Sequence, residues 1–149
     1  MRVLFVCTGN ICRSPTAAGV FAQLVRDAGL QERVQVESAG THGYHVGEPP
    51  DARAQDHARR RGYDLSALRA RQVRKRDFEQ FDVIVALDRG HLEILRANCP
   101  AEHAPKLRLL VKGRDVPDPY YGGPDEFERV LDLVEGACLA LLSEVREKL

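Results

Sequence analysis

Between Val6 and Pro15 the chain reads Val-Cys-Thr-Gly-Asn-Ile-Cys-Arg-Ser-Pro, and almost every residue in that run bears on the handling of an anion. Cys7 closes a short apolar, strand-like run, and Arg13 follows after five intervening residues. Gly9 offers backbone freedom for a tight curl, and Asn10 tolerates unusual dihedral angles. Ser14 is a good N-cap residue and Pro15 suits the first position of a helix, so a helix is expected to start there. A loop curled over that helix start would aim several backbone N–H groups at one point, reinforced by the positive end of the helix dipole. A thiol held among those N–H groups and beside a guanidinium is expected to ionise and act as a nucleophile. Arg13 can grip two oxygens of a phosphoryl group at once, which a lysine could not copy. The Ser14 hydroxyl can donate to the Cys7 sulfur and ease its departure.

Attack by a thiolate on a phosphate ester leaves an oxygen that needs a proton, and the resulting intermediate then needs an activated water. One carboxyl group can serve both steps. Val116-Pro117-Asp118-Pro119-Tyr120-Tyr121-Gly122-Gly123 is a loop by composition, with a proline stiffening each side of Asp118. Asp-Pro alone is an ordinary turn signal. Paired with the Cys7 loop, Asp118 becomes the candidate acid. Tyr120 and Tyr121 are either walls beside a substrate ring or ordinary loop packing, the second being the plainer reading of Tyr121.

Residues 6–15 resemble, almost residue for residue, the signature of the low-molecular-weight protein tyrosine phosphatases. Asp-Pro-Tyr-Tyr at residues 118–121 is similar to that family's acid loop. The resemblance implies Cys7 as nucleophile, Arg13 as phosphate and transition-state binder, Ser14 as partner of the thiolate and Asp118 as general acid and base. Thr8, Gly9, Asn10, Ile11, Cys12 and Arg13 would together hold the phosphate. Asn10 would keep the loop in shape, and Ser38, in Ser38-Ala39-Gly40-Thr41, would bond to it. Cys12 would be a backup thiol that pairs with Cys7 on oxidation, or else a small buried filler. Ile11, Tyr44 and Tyr120 would line a pocket whose narrow mouth suits an aryl phosphate better than short phosphoserine.

The implied partner is a phosphotyrosine-containing protein or peptide, with inorganic phosphate and related oxyanions as inhibitors and no cofactor. One position departs from the pattern. Many members carry a histidine shortly before Ala-Arg-Gln, and Leu68 stands nearest that place here, which leaves open what braces Asn10. His57 reads as an exposed helical residue, Asp88 as a structural match to a family Asp. Arg69, Arg71, Arg74, Lys75 and Arg76 read as a solvated basic face. Other activities on the same fold fit less well. Arsenate reductases need two further cysteines to relay a disulfide, and only Cys99 lies in that neighbourhood. Protein-arginine phosphatases tend to have Thr where Ile11 stands and lack the double tyrosine, and a cysteine-phosphate carrier would have no use for Asp118.

Short β-rich runs at Arg2–Val6, Val34–Glu37, Phe81–Leu87 and Leu107–Val111 alternate with helical stretches at Ala17–Ala28, Ala52–Arg61, Gly90–Ala97 and Asp125–Glu147. That alternation predicts an α/β fold, a parallel sheet with helices on both faces, whose sites lie beyond the carboxyl ends of the strands. The resemblance implies three layers, a four-stranded sheet of order 2-1-3-4 and one domain over residues 1–149. A net charge of zero argues against a nucleic-acid or membrane-surface partner. The four cysteines and five histidines show no metal-ligand spacing, so no metal is expected. The opening apolar run, Val3 to Val6, is too short for a signal peptide, and the chain reads as cytoplasmic with reduced thiols, a monomer or weak homodimer.

Overall fold

Val3, Leu4, Phe5 and Val6 are all completely inaccessible to solvent, so the strand that carries them must be covered on both faces. In the computed structural model, which describes residues 1–149, that strand is β1 (Arg2–Cys7), and it lies in the middle of the sheet. It pairs in parallel with β2 (Gln35–Gly40) on one side and β3 (Val83–Ala86) on the other. The short edge strand β4 (Leu107–Leu109) pairs with β3, giving the expected all-parallel order β2-β1-β3-β4.

Alternation along β1 divides the core in two. Val3 and Phe5 face α1 (Arg13–Asp27) and α5 (Pro124–Glu147), packing among Val20, Phe21, Leu131, Val134 and Leu141. The rings of Phe5 and Phe21 meet edge to face at 5.6 Å. Leu4 and Val6 face the other layer, where Phe78, Phe81, Leu92 and Leu95 cover them. Those residues come from and around α3 (Lys75–Gln80) and α4 (Arg89–Asn98). Each buried side chain of this size contributes about 1.5–3 kcal/mol, so both layers are needed to hold β1 in place. The helix α2 (Ala52–Arg60) lies beside α5, and Gly62, at φ 92°, follows its end in the left-handed conformation that glycine favours.

Three elements differ from the sequence-based expectation. α3 and a 3₁₀ helix at Ala101–Lys106 are additional; both are a turn or two long, below the length at which apolar periodicity is visible. α1 begins at Arg13, with Cys12 as its N-cap, so Ser14 and Pro15 lie inside the first turn and Ser14 does not cap. No helix is long and apolar enough to cross a membrane.

Candidate active site

The loop from Thr8 to Cys12 joins the end of β1 to the start of α1, beyond the carboxyl edge of the sheet. Several carbonyl groups in and beside it are paired within the protein. Thr8 O accepts from His42 N at 3.0 Å, Ile11 O from Asp51 N at 2.8 Å and Cys12 O from Thr16 N at 3.2 Å, while Cys7 O accepts from Thr41 N at 2.8 Å. None of the backbone N–H groups from Thr8 to Arg13 donates to an acceptor within the protein. Successive N–H groups with no protein acceptor, on a loop that lines a cleft, are free to be taken up by water or by an anion, which is the arrangement of an anion-binding nest.

Asn10 holds that shape. It is buried and sits at φ 61°, a left-handed conformation that Asn tolerates better than most residues. Its amide nitrogen donates to Ser14 Oγ at 2.8 Å and to Ser38 Oγ at 2.9 Å, and its Oδ1 accepts from Arg71 N at 3.0 Å. All three contacts agree on one orientation of the amide. The backbone of Arg71 is therefore the brace that Leu68 left unassigned. Arg71 is in turn fixed by buried Asp77, at 2.9 and 3.2 Å, so it is no part of a solvated basic face. Gly9 serves differently from expectation. Its φ is not positive, and a Cβ there would come within 2.8 Å of the His45 ring, so it provides room for His45 and not a special dihedral.

The Cys7 sulfur lies 2.9 Å from Ser14 Oγ. Because Asn10 already donates to that oxygen, the serine hydroxyl proton is free to point at the sulfur, its rival acceptor Ala39 O being farther away at 3.4 Å. Cys12 is distinct: burial, then the Asp51 charge, push its thiol up to about 12, so it stays protonated. Arg13 is buried, and its Nη1 donates to Asp88 Oδ2 at 2.8 Å and Val116 O at 3.0 Å. Asp88 thus aims the arginine in addition to capping α4 through His91 N. Nε of Arg13 makes no bond to the protein, and Nη2 stands 3.8 Å from Asp118 Oδ2, so one edge of the guanidinium faces the space before the acid. Tyr120 N donates to Asp118 Oδ1 at 3.1 Å, which orients the carboxyl group.

Cys7, Thr8, Gly9, Ile11, Cys12, Arg13, Tyr44, His45, Asp118, Tyr120 and Tyr121 line one cleft of about 280 Å³. Every expected site residue lies on it except Asn10, Ser14 and Ser38, which stand behind it as supports. Tyr121, expected to pack in its loop, is almost fully exposed and also borders the cleft. His57, expected to be exposed, is buried, stacked at 5.4 Å on Phe127 and bonded to Glu128.

His91 escaped the sequence reading, since a histidine in an amphipathic helix gives no signal of its own. It is buried, with Nε2 2.8 Å from Thr8 Oγ1 and 3.3 Å from Arg13 Nη2, and Nδ1 3.1 Å from Asp88 Oδ1. Arginine can only donate, so Nε2 is the acceptor and Nδ1 carries the proton, near Asp88 but without a hydrogen bond to it. Burial and the Arg13 charge push the ring down to about 4, against the partial opposing pull of Asp88, Asp118 and Asp115. The unfolded chain takes up this proton near pH 6.5, the folded one only near pH 4, so stability present above pH 6.5 drains away as the pH falls through that window. Urea midpoints at pH 7 and pH 5 should show wild type losing about 2 kcal/mol more than His91→Asn. Parallel losses would mean that His91 is not held neutral.

Residues 2–149 match the sequence model of a family described as low molecular weight phosphotyrosine protein phosphatase. A low molecular weight protein-tyrosine-phosphatase of Streptomyces coelicolor is 51% identical, the alignment covering 99% of this chain and 94% of the relative. Among solved structures, a protein tyrosine phosphatase from Entamoeba histolytica with Hepes in its active site superposes with a TM-score of 0.95 at 38% identity, covering 99% of this chain and 98% of that one. Wzb of Vibrio vulnificus, in complex with benzylphosphonate, gives a TM-score of 0.86 at 30% identity, with 96% and 97% covered.

Proposed function

The chain belongs to the low molecular weight phosphotyrosine protein phosphatase family, a family of hydrolases, and from that premise we propose how its own residues carry out phosphotyrosine hydrolysis. The Cys7 thiolate attacks phosphorus; the S–P bond forms as the P–O bond to the tyrosine ring breaks. Asp118 gives its proton to the leaving phenolate oxygen. The N–H groups of Thr8, Gly9, Asn10, Ile11, Cys12 and Arg13, with Nε and Nη2 of Arg13, hold the three non-bridging oxygens as charge shifts among them. In the second half, Asp118 as carboxylate takes a proton from water while the water oxygen attacks phosphorus. The S–P bond breaks, and the departing thiolate accepts the Ser14 hydroxyl bond at 2.9 Å. The run of backbone N–H groups from Thr8 to Arg13 without a protein acceptor, between Cys7 and an Arg13 aimed by Asp88, is the observation that carries this reading.

Tyr44 and Tyr120 at the rim, with Ile11 lower down, suit a flat aryl ester whose ring reaches past them. A benzylphosphonate, whose CH2 stands where an aryl phosphate has its ester oxygen, is in complex with the Vibrio vulnificus relative, which supports the same class of ligand here. Cys12, in the same loop and lining the same cleft as Cys7, is proposed as the thiol that condenses with a Cys7 sulfenic acid, releasing water and forming a disulfide that a cellular thiol can reduce. A reaction that depends on a free thiolate fits the reducing cytoplasm.

One peptide sequence carrying phosphotyrosine, phosphoserine or phosphoarginine in turn, compared by kcat/KM, tests the substrate class. Phosphotyrosine should lead each competitor by about 10²-fold. Equal or better turnover of phosphoarginine would transfer the assignment to protein-arginine phosphatases.

A further inference from the structure

The acid loop and the phosphate loop come from distant parts of the chain, yet Asp118 is useful only at a fixed distance from the ester oxygen above Cys7. The first turn of α2 touches both. Asp51, its N-cap, donates its backbone N–H to Ile11 O of the phosphate loop at 2.8 Å. The Asp51 carboxylate grips Arg53 at Nε, 3.2 Å, and Nη2, 3.1 Å. Arg53 Nη2 also donates to Tyr120 O at 2.9 Å, and its guanidinium lies 4.8 Å from the Phe127 ring and 5.6 Å from the Tyr120 ring. The backbone of Tyr120 is thereby held on both sides of its Cα: its carbonyl by Arg53, its N–H by the Asp118 carboxyl it orients.

We propose that Arg53 is a positioning residue that ties the acid loop to the phosphate loop and so sets Asp118 for proton transfer. The inference rests on Asp118 being the general acid. Arg53 does not line the cleft, and about half of its side chain is exposed, 47%. Its removal therefore opens no core and takes no donor from the phosphate. What it removes is the hold on Tyr120 O, and small displacements of a reacting group are costly in rate. Lysine would keep the charge but not the fork that reaches Asp51 and Tyr120 together.

The test is a pair of aryl phosphates of different leaving group, phenyl phosphate and p-nitrophenyl phosphate, compared by kcat/KM in Arg53→Ala, Arg53→Lys, Asp118→Asn and the double variant R53A/D118N. Arg53→Ala should lose about 10-fold on phenyl phosphate, which needs the proton, and about twofold or less on p-nitrophenyl phosphate, which does not. Arg53→Lys should fall between Arg53→Ala and wild type, and inhibition by inorganic phosphate should be unchanged within about twofold in both. With Asp118 already replaced, Arg53→Ala should cost nothing further, because two changes acting on one step do not add. Equal losses on the two esters, or a full additional loss in the double variant, would overturn the proposal while leaving the acid assignment intact. An Asp118→Asn single variant that treats the two esters as wild type does would remove the acid assignment, and the role of Arg53 with it.

Discussion

Replacing Cys7 by serine should lower the hydrolysis of aryl phosphates by about 10⁴–10⁶-fold while leaving the protein folded and able to bind inorganic phosphate. Serine matches cysteine in shape, so the strand end and the loop carbonyl pairings to Thr41, His42 and Asp51 stay in place. The loop N–H groups and Arg13 also remain, and in the proposed mechanism these hold the anion. Missing is the sulfur nucleophile, because an alcohol without an adjacent base stays protonated and attacks poorly. The one hydrogen-bond partner of the sulfur is the Ser14 hydroxyl, which is no base, and His91 bonds to Thr8 and faces Arg13 and Asp88. Phosphate affinity should hold, since the loop N–H groups and Arg13 are untouched by the substitution. Steady-state rates and competitive inhibition by phosphate check both halves. A serine variant within tenfold of wild type would place the nucleophile elsewhere.

Asp118→Asn is the second large effect. Its turnover of a phenol ester should drop by about 10²–10⁴-fold, the range expected for losing one positioned proton donor. The carboxyl group stands 3.8 Å from Arg13 Nη2 and touches the chain only through Tyr120 N, so the asparagine amide oxygen can keep the local turn. Inhibition by phosphate should be nearly unchanged, because the anion is held from the opposite side. The loss should shrink as the leaving group improves in the first step but persist in hydrolysis of the intermediate, where the base is needed for water. A uniform weakening of phosphate binding with little change in rate would mean that Asp118 orders the loop and moves no proton.

The parts of the site that lie within one continuous segment were legible before any coordinates. Cys7, the loop and Arg13 are neighbours in sequence, and the type and spacing of those residues already describe an anion cradle. The central strand was equally plain, because four consecutive apolar residues demand cover on both sides. Supports that act across the chain were not. Asn10 meets Arg71 through a backbone N–H, and a backbone group carries no sequence signature. The same holds for Val116 O on Arg13 and Tyr120 O on Arg53. His57 and His91 sit in amphipathic helices where the pattern does not tell a buried polar residue from an exposed one, and their environments are set by Phe127, Glu128 and Arg13 from other elements. Ser14 misled for a related reason: its suitability as a cap is local, whereas its bond to Cys7 depends on the loop folding back over the helix start.

The most direct test is to stop the enzyme in acid during turnover of p-nitrophenyl phosphate and locate phosphorus by peptide mass spectrometry. A cysteinyl-phosphate mechanism requires one phosphoryl group on the peptide that contains Cys7, absent from Cys7→Ser and formed at a rate no slower than steady-state turnover. A phosphoryl group on another residue, or its absence under conditions that preserve the S–P bond, would contradict nucleophilic attack by Cys7.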